Sequence, residues 1–410
     1  NISLIIQKLA KEKPFDIANK IILELKKCPE FINVEVAMPG FINLWLDNSM
    51  WQNSLKETLN LSELIDCNIG NDLAVNVEYV SANPTGPLHV GHCRGAVFGD
   101  VLSNLLKKTG HKVTKEYYIN DAGSQINNLT NSVFIRYQEI LGEKFSAYPD
   151  DFYPGDYLMP VAQHFASTYG SKLLEMNESE RFLLIKPFTI NFMVNLIKED
   201  LAALSIKQDI FVSEQDLIND GKIDKAIATL QKSNLIYEGV LDPPKGKRPD
   251  DWEPRPQMLF KSTKYGDEVD RPLQKSNKEW TYFANDIAYH FDKYQRGSNH
   301  LIDILGADHG GYVKRMSAAV AALSDNKALF TAKLCQMVKL TRDGKQIKMS
   351  KRSGEFITLR EVIDEVGSDS IRFMMLYRKN EAPLEFDFTK VTEQSKDNPV
   401  FYVQYAHARI

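Results

Sequence analysis

The chain has 410 residues, of which 43% are hydrophobic and 25% charged, and a formal net charge of −4. That length exceeds one comfortable hydrophobic core, so two or three domains of ordinary globular composition are expected. No apolar run reaches the roughly eighteen residues of a helical membrane span, and the slightly acidic balance argues against a generally basic nucleic-acid binder while allowing a local basic face.

The chain opens at Asn1, without Met and without a secretory signal, inside a helical pattern, as a fragment or trimmed chain would. "FDIANKIILELKK" carries Phe15, Ile17, Ile21, Ile22 and Leu25 at helical spacing. Two strand-like runs follow, "NVEVA" and "FINLWL", separated by the turn signal Met38-Pro39-Gly40. A helix over about 49–66 leads to "DCNIGNDLA", which reads as a linker, so residues 1–70 form a small α+β domain. The cysteines, Cys28, Cys67, Cys93 and Cys335, are scattered with no zinc spacing, a pattern that fits a reducing cytosol and predicts no structural zinc.

From residue 73 the pattern alternates: strand 73–80, helix 91–108, strand 112–118 and a helix from about 121. This order predicts a Rossmann-type parallel α/β sheet with crossover helices over 71–380. Between about 140 and 255 the Pro-, Asp- and aromatic-rich segments "SAYPDDFYPGDYLMP" and "DPPKGKRPDDWEPRPQ" mark an insertion, with helices expected at 156–176, 189–204 and 221–233. Strand–helix order resumes through "WTYFANDIAYHFDKY", "HLIDILGAD" and a helix over 310–324. Residues 381–410 begin a helical domain in "NPVFYVQYAHARI".

Two motifs carry the chemistry. Neither GxxxxGK[ST] nor GxGxxG follows the first parallel strand; instead His89-Val90-Gly91-His92 sits at the mouth of a helix, after a Pro-Thr-Gly-Pro turn. Imidazoles at i and i+3 lie on one side of the first helical turn, where unpaired N–H groups and a partial positive charge favour anions. Gly91 removes a side chain where a base or ribose could approach the backbone. Downstream, "KLTRDGKQIKMSKRSGEF" places six Lys/Arg between Lys339 and Arg352 against one acid, Asp343, and its glycines predict a mobile loop. Lysines suit point-charge attraction to polyphosphate, and Ser350 can add a hydroxyl donor.

An HxGH helix start and a later KMSK loop in one α/β chain resemble the class I aminoacyl-tRNA synthetases. Within them, "VEYVSANPTGPLHVGHCRGAVFGD", "YYINDAGSQI", "LGADHGGYVKR", "KMSKRSGEFITLREVIDEVG", "DSIRFMML" and "NPVFYVQYAHAR" resemble arginyl-tRNA synthetases of bacterial type. The resemblance implies a ligase that activates L-arginine with Mg-ATP and passes the arginyl group to the 3′ end of tRNA(Arg). It implies that His89, Gly91 and His92 hold ATP and stabilise the adenylation transition state. It also implies that Lys348, Met349, Ser350 and Lys351 close over the triphosphate, with His89, His92, Lys348 and Lys351 catalytic. Glu78, Tyr282 and Asp286 would read the guanidinium, Asn83 and His89 the amine and carboxylate, and Asp308 and His309 would contact arginine or ATP. Phe41 and Asn43, in the N-terminal domain, would meet a base of the tRNA D-loop, and a helical anticodon-binding domain would begin near 381. A cytoplasmic monomer without zinc or a permanently bound cofactor is implied. Small nucleotidyltransferases that build dinucleotide cofactors also use HxGH, but as compact single domains lacking the lysine loop; the cysteinyl synthetases need a zinc cluster.

Overall fold

The computed structural model describes residues 1–60, 68–241, 255–347 and 357–410. It divides into two compact units, Asn1–Cys67 and Asn68–Ile410. The first contains α1 (Ile2–Ala10), α2 (Pro14–Leu25), the antiparallel hairpin β1 (Phe31–Ala37) and β2 (Phe41–Leu46), and α3 (Asn48–Asn60). Pro14 occupies the first turn of α2, where its missing N–H costs nothing. Ile17, Ala18 and Val34 form the buried centre. Gly40 is required by close approach, since a Cβ there would lie 2.7 Å from the Cβ of Pro14. The stretch 61–66 expected to prolong α3 lies outside the described residues.

The second unit is built on β3 (Ala74–Glu78), α4 (Val90–Lys108), β4 (Lys112–Ile119) and α5 (Ser124–Ile140). Helices α6 (Met159–Tyr169), α7 (Lys172–Glu175) and α8 (Glu178–Ala203) pack on α5 around a core of their own that includes Val133, Tyr137, Phe165 and Met193. The chain then returns to the main sheet as β5 (Ile210–Ser213), in parallel register with β4. The segment read from sequence as one insertion over 140–255 therefore rejoins the sheet midway. A four-residue edge strand with no fully buried position leaves little alternation to detect. After it come α9 (Glu214–Asn219), α10 (Lys222–Lys232) and a separate antiparallel sheet of β6 (Ile236–Gly239), β7 (Gln257–Phe260) and β8 (Arg271–Pro272).

Helix α11 (Tyr282–Gln295), β9 (His300–Gly306), α12 (Tyr312–Ser324) and β10 (Leu329–Cys335) complete the main sheet, whose spatial order is β10-β9-β3-β4-β5. The strands pair in parallel throughout, so the α/β expectation holds. From β3 the chain winds outward through β4 and β5; on the other side of β3 lie β9 and β10. The reversal falls between β3 and β9, and ligand crevices in such sheets open at the carboxyl ends of the strands flanking that reversal.

The basic stretch begins differently from the loop expected of it. β11 (Val338–Arg342) turns through Asp343 and Gly344, both in the left-handed region, into β12 (Lys345–Gln346). Leu340 and Thr341 are buried, and β11 also pairs in parallel with a later strand, β13 (Leu384–Asp387). Between them lie α13 (Leu359–Val366) and α14 (Ser368–Leu376), and α15 (Phe388–Thr392) and α16 (Pro399–Arg409) follow.

One buried cation ties this segment to α4. Arg94 is 1% exposed, and its guanidinium donates to the carbonyls of Gln336, Ala382 and Lys379 at 2.7–3.0 Å and to that of Arg378 at 3.4 Å. Those carbonyls belong to connecting backbone that is itself half-buried or exposed, and the Lys379 carbonyl keeps another donor, the N–H of Ala382 at 3.0 Å. Arg94→Leu is expected to lower unfolding free energy by about 2 kcal/mol, because hydrogen bonds from a charged donor contribute ~1.5–3 kcal/mol and partly exposed acceptors can turn to water. Urea unfolding checks this; an unchanged midpoint would show that those carbonyls find other donors.

Candidate active site

The sequence between β3 and α4 turns sharply. Val80 and Ser81 have φ of 71° and 39°, a left-handed conformation that is costly for a β-branched residue. Ser81 holds the turn: its Oγ donates to Glu78 Oε1 at 2.8 Å and accepts from the N–H of Tyr118 at 3.1 Å. Eight residues on, His89 is the N-cap of α4 in extended backbone conformation.

The two histidines cap that helix reciprocally. His89 Nδ1 accepts from the N–H of Gly91 at 3.0 Å, and His92 Nδ1 accepts from the N–H of His89 at 3.3 Å. Their ring centroids lie 3.9 Å apart. An imidazole that accepts through Nδ1 carries its hydrogen on Nε2, so helix capping assigns both rings the same tautomer. The room left by the missing Cβ of Gly91 lies against the His89 ring, with Cε1 and Nδ1 2.7 and 2.8 Å from where a Cβ would stand. Any side chain there would push the ring off its cap.

Lys348, Met349, Ser350 and Lys351 lie outside the described residues. The chain just after them returns to the histidines. His89 forms an antiparallel bridge with Thr358, and the N–H of Leu359 donates to the carbonyl of Leu88 at 2.7 Å. Just before them, the N–H of Ile347 donates to the carbonyl of Leu340.

Beside this helix start, the carboxyl end of β3, β9 and the inner side of α11 bring acidic groups together in a buried cluster. Glu78, the last residue of β3, accepts from Lys293 Nζ at 2.5 Å through Oε2. Lys293 also reaches Asp303 Oδ1 on β9 at 3.2 Å, and the second Asp303 oxygen faces His290 Nε2 at 2.9 Å. His290 Nδ1 meets the carbonyl of Asp286 at 2.8 Å. Burial would raise the Asp303 carboxyl, but Lys293 and His290 pull it down to about 2. Burial would likewise strip the proton from Lys293, and Asp303, Glu78 and Glu116 hold it more firmly than water does. Burial raises Glu78 against the pull of Lys293. Asp286 is pushed up to about 7 by burial and by Glu78, Glu214 and Asp303, against the pull of His290.

Ligand atoms of Glu78, His290 and Asp303 lie within 4.8 Å of one another, a spacing that could hold a metal ion. The cation that meets both carboxylates is the Lys293 ammonium, and both nitrogens of His290 already face oxygen atoms. The group is a fixed ion cluster.

Other expected residues are placed less deeply. Tyr282 and Asp286 share α11 one turn apart, but Tyr282 is 65% exposed, with Lys275 Nζ 5.5 Å from its ring centre. Asn83 is exposed and donates to Gln125 Oε1 at 2.9 Å. Asp308 and His309 occupy an exposed 3₁₀ turn at the carboxyl end of β9, with His309 Nε2 3.8 Å from Asp308 Oδ2. In the first unit, Phe41 and Asn43 stand two apart on β2, on one face, both exposed. The residues missing from the sequence reading are Ser81, His290, Lys293 and Asp303. Asp286, His290 and Lys293 follow i, i+4, i+7 spacing, a polar stripe on a helix face that is otherwise buried.

The parallel sheet, the histidine-capped helix at its reversal point and the buried acidic cluster beside it belong to a class I tRNA synthetase catalytic domain. The family described as "tRNA synthetases class I (R), catalytic domain" matches residues 54–396, and "Arginyl tRNA synthetase N terminal domain" matches residues 1–46. The chain belongs to the arginyl-tRNA synthetase family. It is 56% identical to the arginine–tRNA ligase of Brucella anthropi, with 100% of this chain aligned to 70% of that protein. It is 54% identical to the arginine–tRNA ligase of a Ruegeria species, with coverages of 100% and 71%. The solved arginyl-tRNA synthetase of Thermus thermophilus shares the fold at a TM-score of 0.67 and 20% identity, covering 99% of this chain and 74% of that one. No helix among the described residues is long and apolar enough to cross a membrane.

Proposed function

We propose that the protein is an arginine–tRNA ligase in which the two histidines act on ATP and the acidic cluster reads the amino acid. In the first step the arginine carboxylate attacks the α-phosphorus of Mg-ATP and diphosphate leaves. In the second, the 3′-terminal ribose hydroxyl of tRNA takes the arginyl group and AMP leaves. No side-chain nucleophile is needed, so the chain contributes position and charge. His89 and His92 offer Nε2–H donors, together with the N-terminal amides of α4, to the phosphate oxygens that gain charge in the first step. Glu78 and Asp286 accept from the guanidinium, for which planar carboxylates are the matched partners. Asn83 holds the arginine backbone, Tyr282 closes the outer end of the site, and Asp308 and His309 meet arginine or ATP at the neighbouring strand end. Lys348 and Lys351, with Met349 and Ser350 between them, complete the triphosphate site. Phe41 and Asn43 present a ring and an amide to a tRNA base.

The observation that carries this reading is the juxtaposition of a buried carboxylate, Glu78, and a histidine-capped helix start at the two ends of one loop, residues 79–88. The test is tRNA charging by the purified protein with each of the twenty amino acids in turn. Arginine alone should be attached, with AMP and diphosphate formed one for one. Attachment of a different amino acid overturns the reading. So does diphosphate exchange driven by a phosphorylated small acceptor with no amino acid present.

A further inference from the structure

Lys293 is 0% exposed, whereas Glu78, which it contacts, keeps some exposure. Exposure grades across the cluster: the Lys293 side chain is at 0%, Asp303 at 2% and Glu78 at 11%. The ammonium therefore cannot meet a substrate, and the partly exposed carboxylate beside it can. Each Glu78 oxygen has one fixed donor, Ser81 Oγ at 2.8 Å on Oε1 and Lys293 Nζ at 2.5 Å on Oε2, which sets the plane of the carboxylate and leaves a further lone pair on each oxygen. The charged groups facing Lys293 come from three strands, Glu78 on β3, Glu116 on β4 and Asp303 on β9, while on its own helix His290 faces Asp303 and Asp286 lies near Glu78 and Asp303. Glu116 is already taken by both guanidinium nitrogens of Arg296, at 2.7 and 2.8 Å.

We infer that Lys293 is a positioning residue for amino-acid recognition, whose buried ammonium favours the ionised form of Glu78 and orients it as an acceptor for the incoming guanidinium. The inference rests on the proposed reading of Glu78 as a guanidinium contact. A buried ion pair kept only as a brace is often replaceable by apolar groups with little loss. Here one member, Glu78, keeps some exposure, and its charge state decides whether a cation binds. Without the ammonium, Glu78 and Asp303 become neighbouring buried carboxylates, and such pairs share a proton rather than both ionise. A protonated Glu78 spends one oxygen on a hydrogen and accepts poorly from a cationic donor.

The test compares Lys293→Met with the unaltered protein in steady-state tRNA charging. KM for arginine should rise by about tenfold or more, with KM for ATP within about twofold. The effect belongs in KM because the guanidinium is held equally in ground and transition states. Above pH 8, where Asp286 is already ionised, KM for arginine in the unaltered protein should be flat, while that of Lys293→Met should keep falling as the Glu78–Asp303 pair releases its proton. The double variant Lys293→Met, Asp303→Asn removes one charge of each sign and should recover most of the lost affinity. A purely structural brace predicts the opposite, a double variant worse than the single one, and that result overturns the inference. Glu78→Gln separates the two claims. A raised arginine KM in Glu78→Gln beside an unaltered, pH-independent KM in Lys293→Met overturns the role of Lys293. An unaltered KM in Glu78→Gln overturns the reading on which it rests.

Discussion

His92→Ala is expected to slow arginine-dependent tRNA charging by roughly 10²–10³-fold while leaving KM for arginine and ATP nearly unchanged. A preorganised donor aimed at charge that develops in the transition state contributes about 3–4 kcal/mol when water is excluded. The geometry separates this from the structural share of the residue. His92 Nδ1 receives the N–H of His89, and losing that half of the cap costs about 1 kcal/mol of stability. His92→Asn restores an acceptor near the Nδ1 position without the Nε2 donor. It should therefore melt near the unaltered protein and turn over as slowly as His92→Ala. If His92→Asn instead charges tRNA at the original rate, the histidine serves only the helix.

Asp286→Asn should raise KM for arginine by about tenfold or more and, at pH 8, make the protein more resistant to unfolding. Both follow from one environment. Burial and the surrounding carboxylates push the Asp286 carboxyl up to about 7, above its value in the unfolded chain. The folded protein thus holds this proton more tightly, and folding loses stability as pH rises from about 4 through 7. Asparagine never ionises, so the variant should be more stable at pH 8 by on the order of 2 kcal/mol, with the difference vanishing near pH 4. Arginine binding runs the other way. In the unaltered protein KM for arginine should climb as pH drops below about 7 and the acceptor becomes protonated, whereas in the variant it should be high and flat. Thermal unfolding at the two pH values and a KM profile measure the pair of effects. A variant less stable than the parent at pH 8 would mean that the guanidinium site is not held under this charge strain.

The fold was legible wherever one period ran long enough. Helix α4, the strands on either side of it, β9 and the hairpin of the first unit each carry a pattern that needs no partner to be read. Failures came where the neighbour decides. β5 is four residues of half-buried edge, made a strand by the exposed side of β4. Residues 339–347 look like a basic loop because their lysines are visible and their pairing with β13 is forty residues away in sequence. The expected helix over 156–176 is interrupted at Gly170, whose φ of 59° ends α6. In the site, His89 and His92 stand out because their spacing is local to one helix start, whereas Glu78 is named through the family resemblance. Lys293 is reached by neither. Its 215-residue separation from Glu78 hides the contact, and an isolated lysine in a helix reads as solvent-facing.

The reciprocal cap on α4 also limits which side chains evolution or design could place at residues 89 and 92. Asparagine carries an acceptor at about the depth of Nδ1 and can start the helix, but its amide ends there. Glutamine reaches the depth of Nε2 with a donor, yet has nothing to offer the backbone one atom nearer. Imidazole alone joins the two positions in a rigid plane, so that winding the first helical turn orients the outer hydrogen as well. On the role proposed for the two histidines, assembly of the chain and arming of these donors are then the same event.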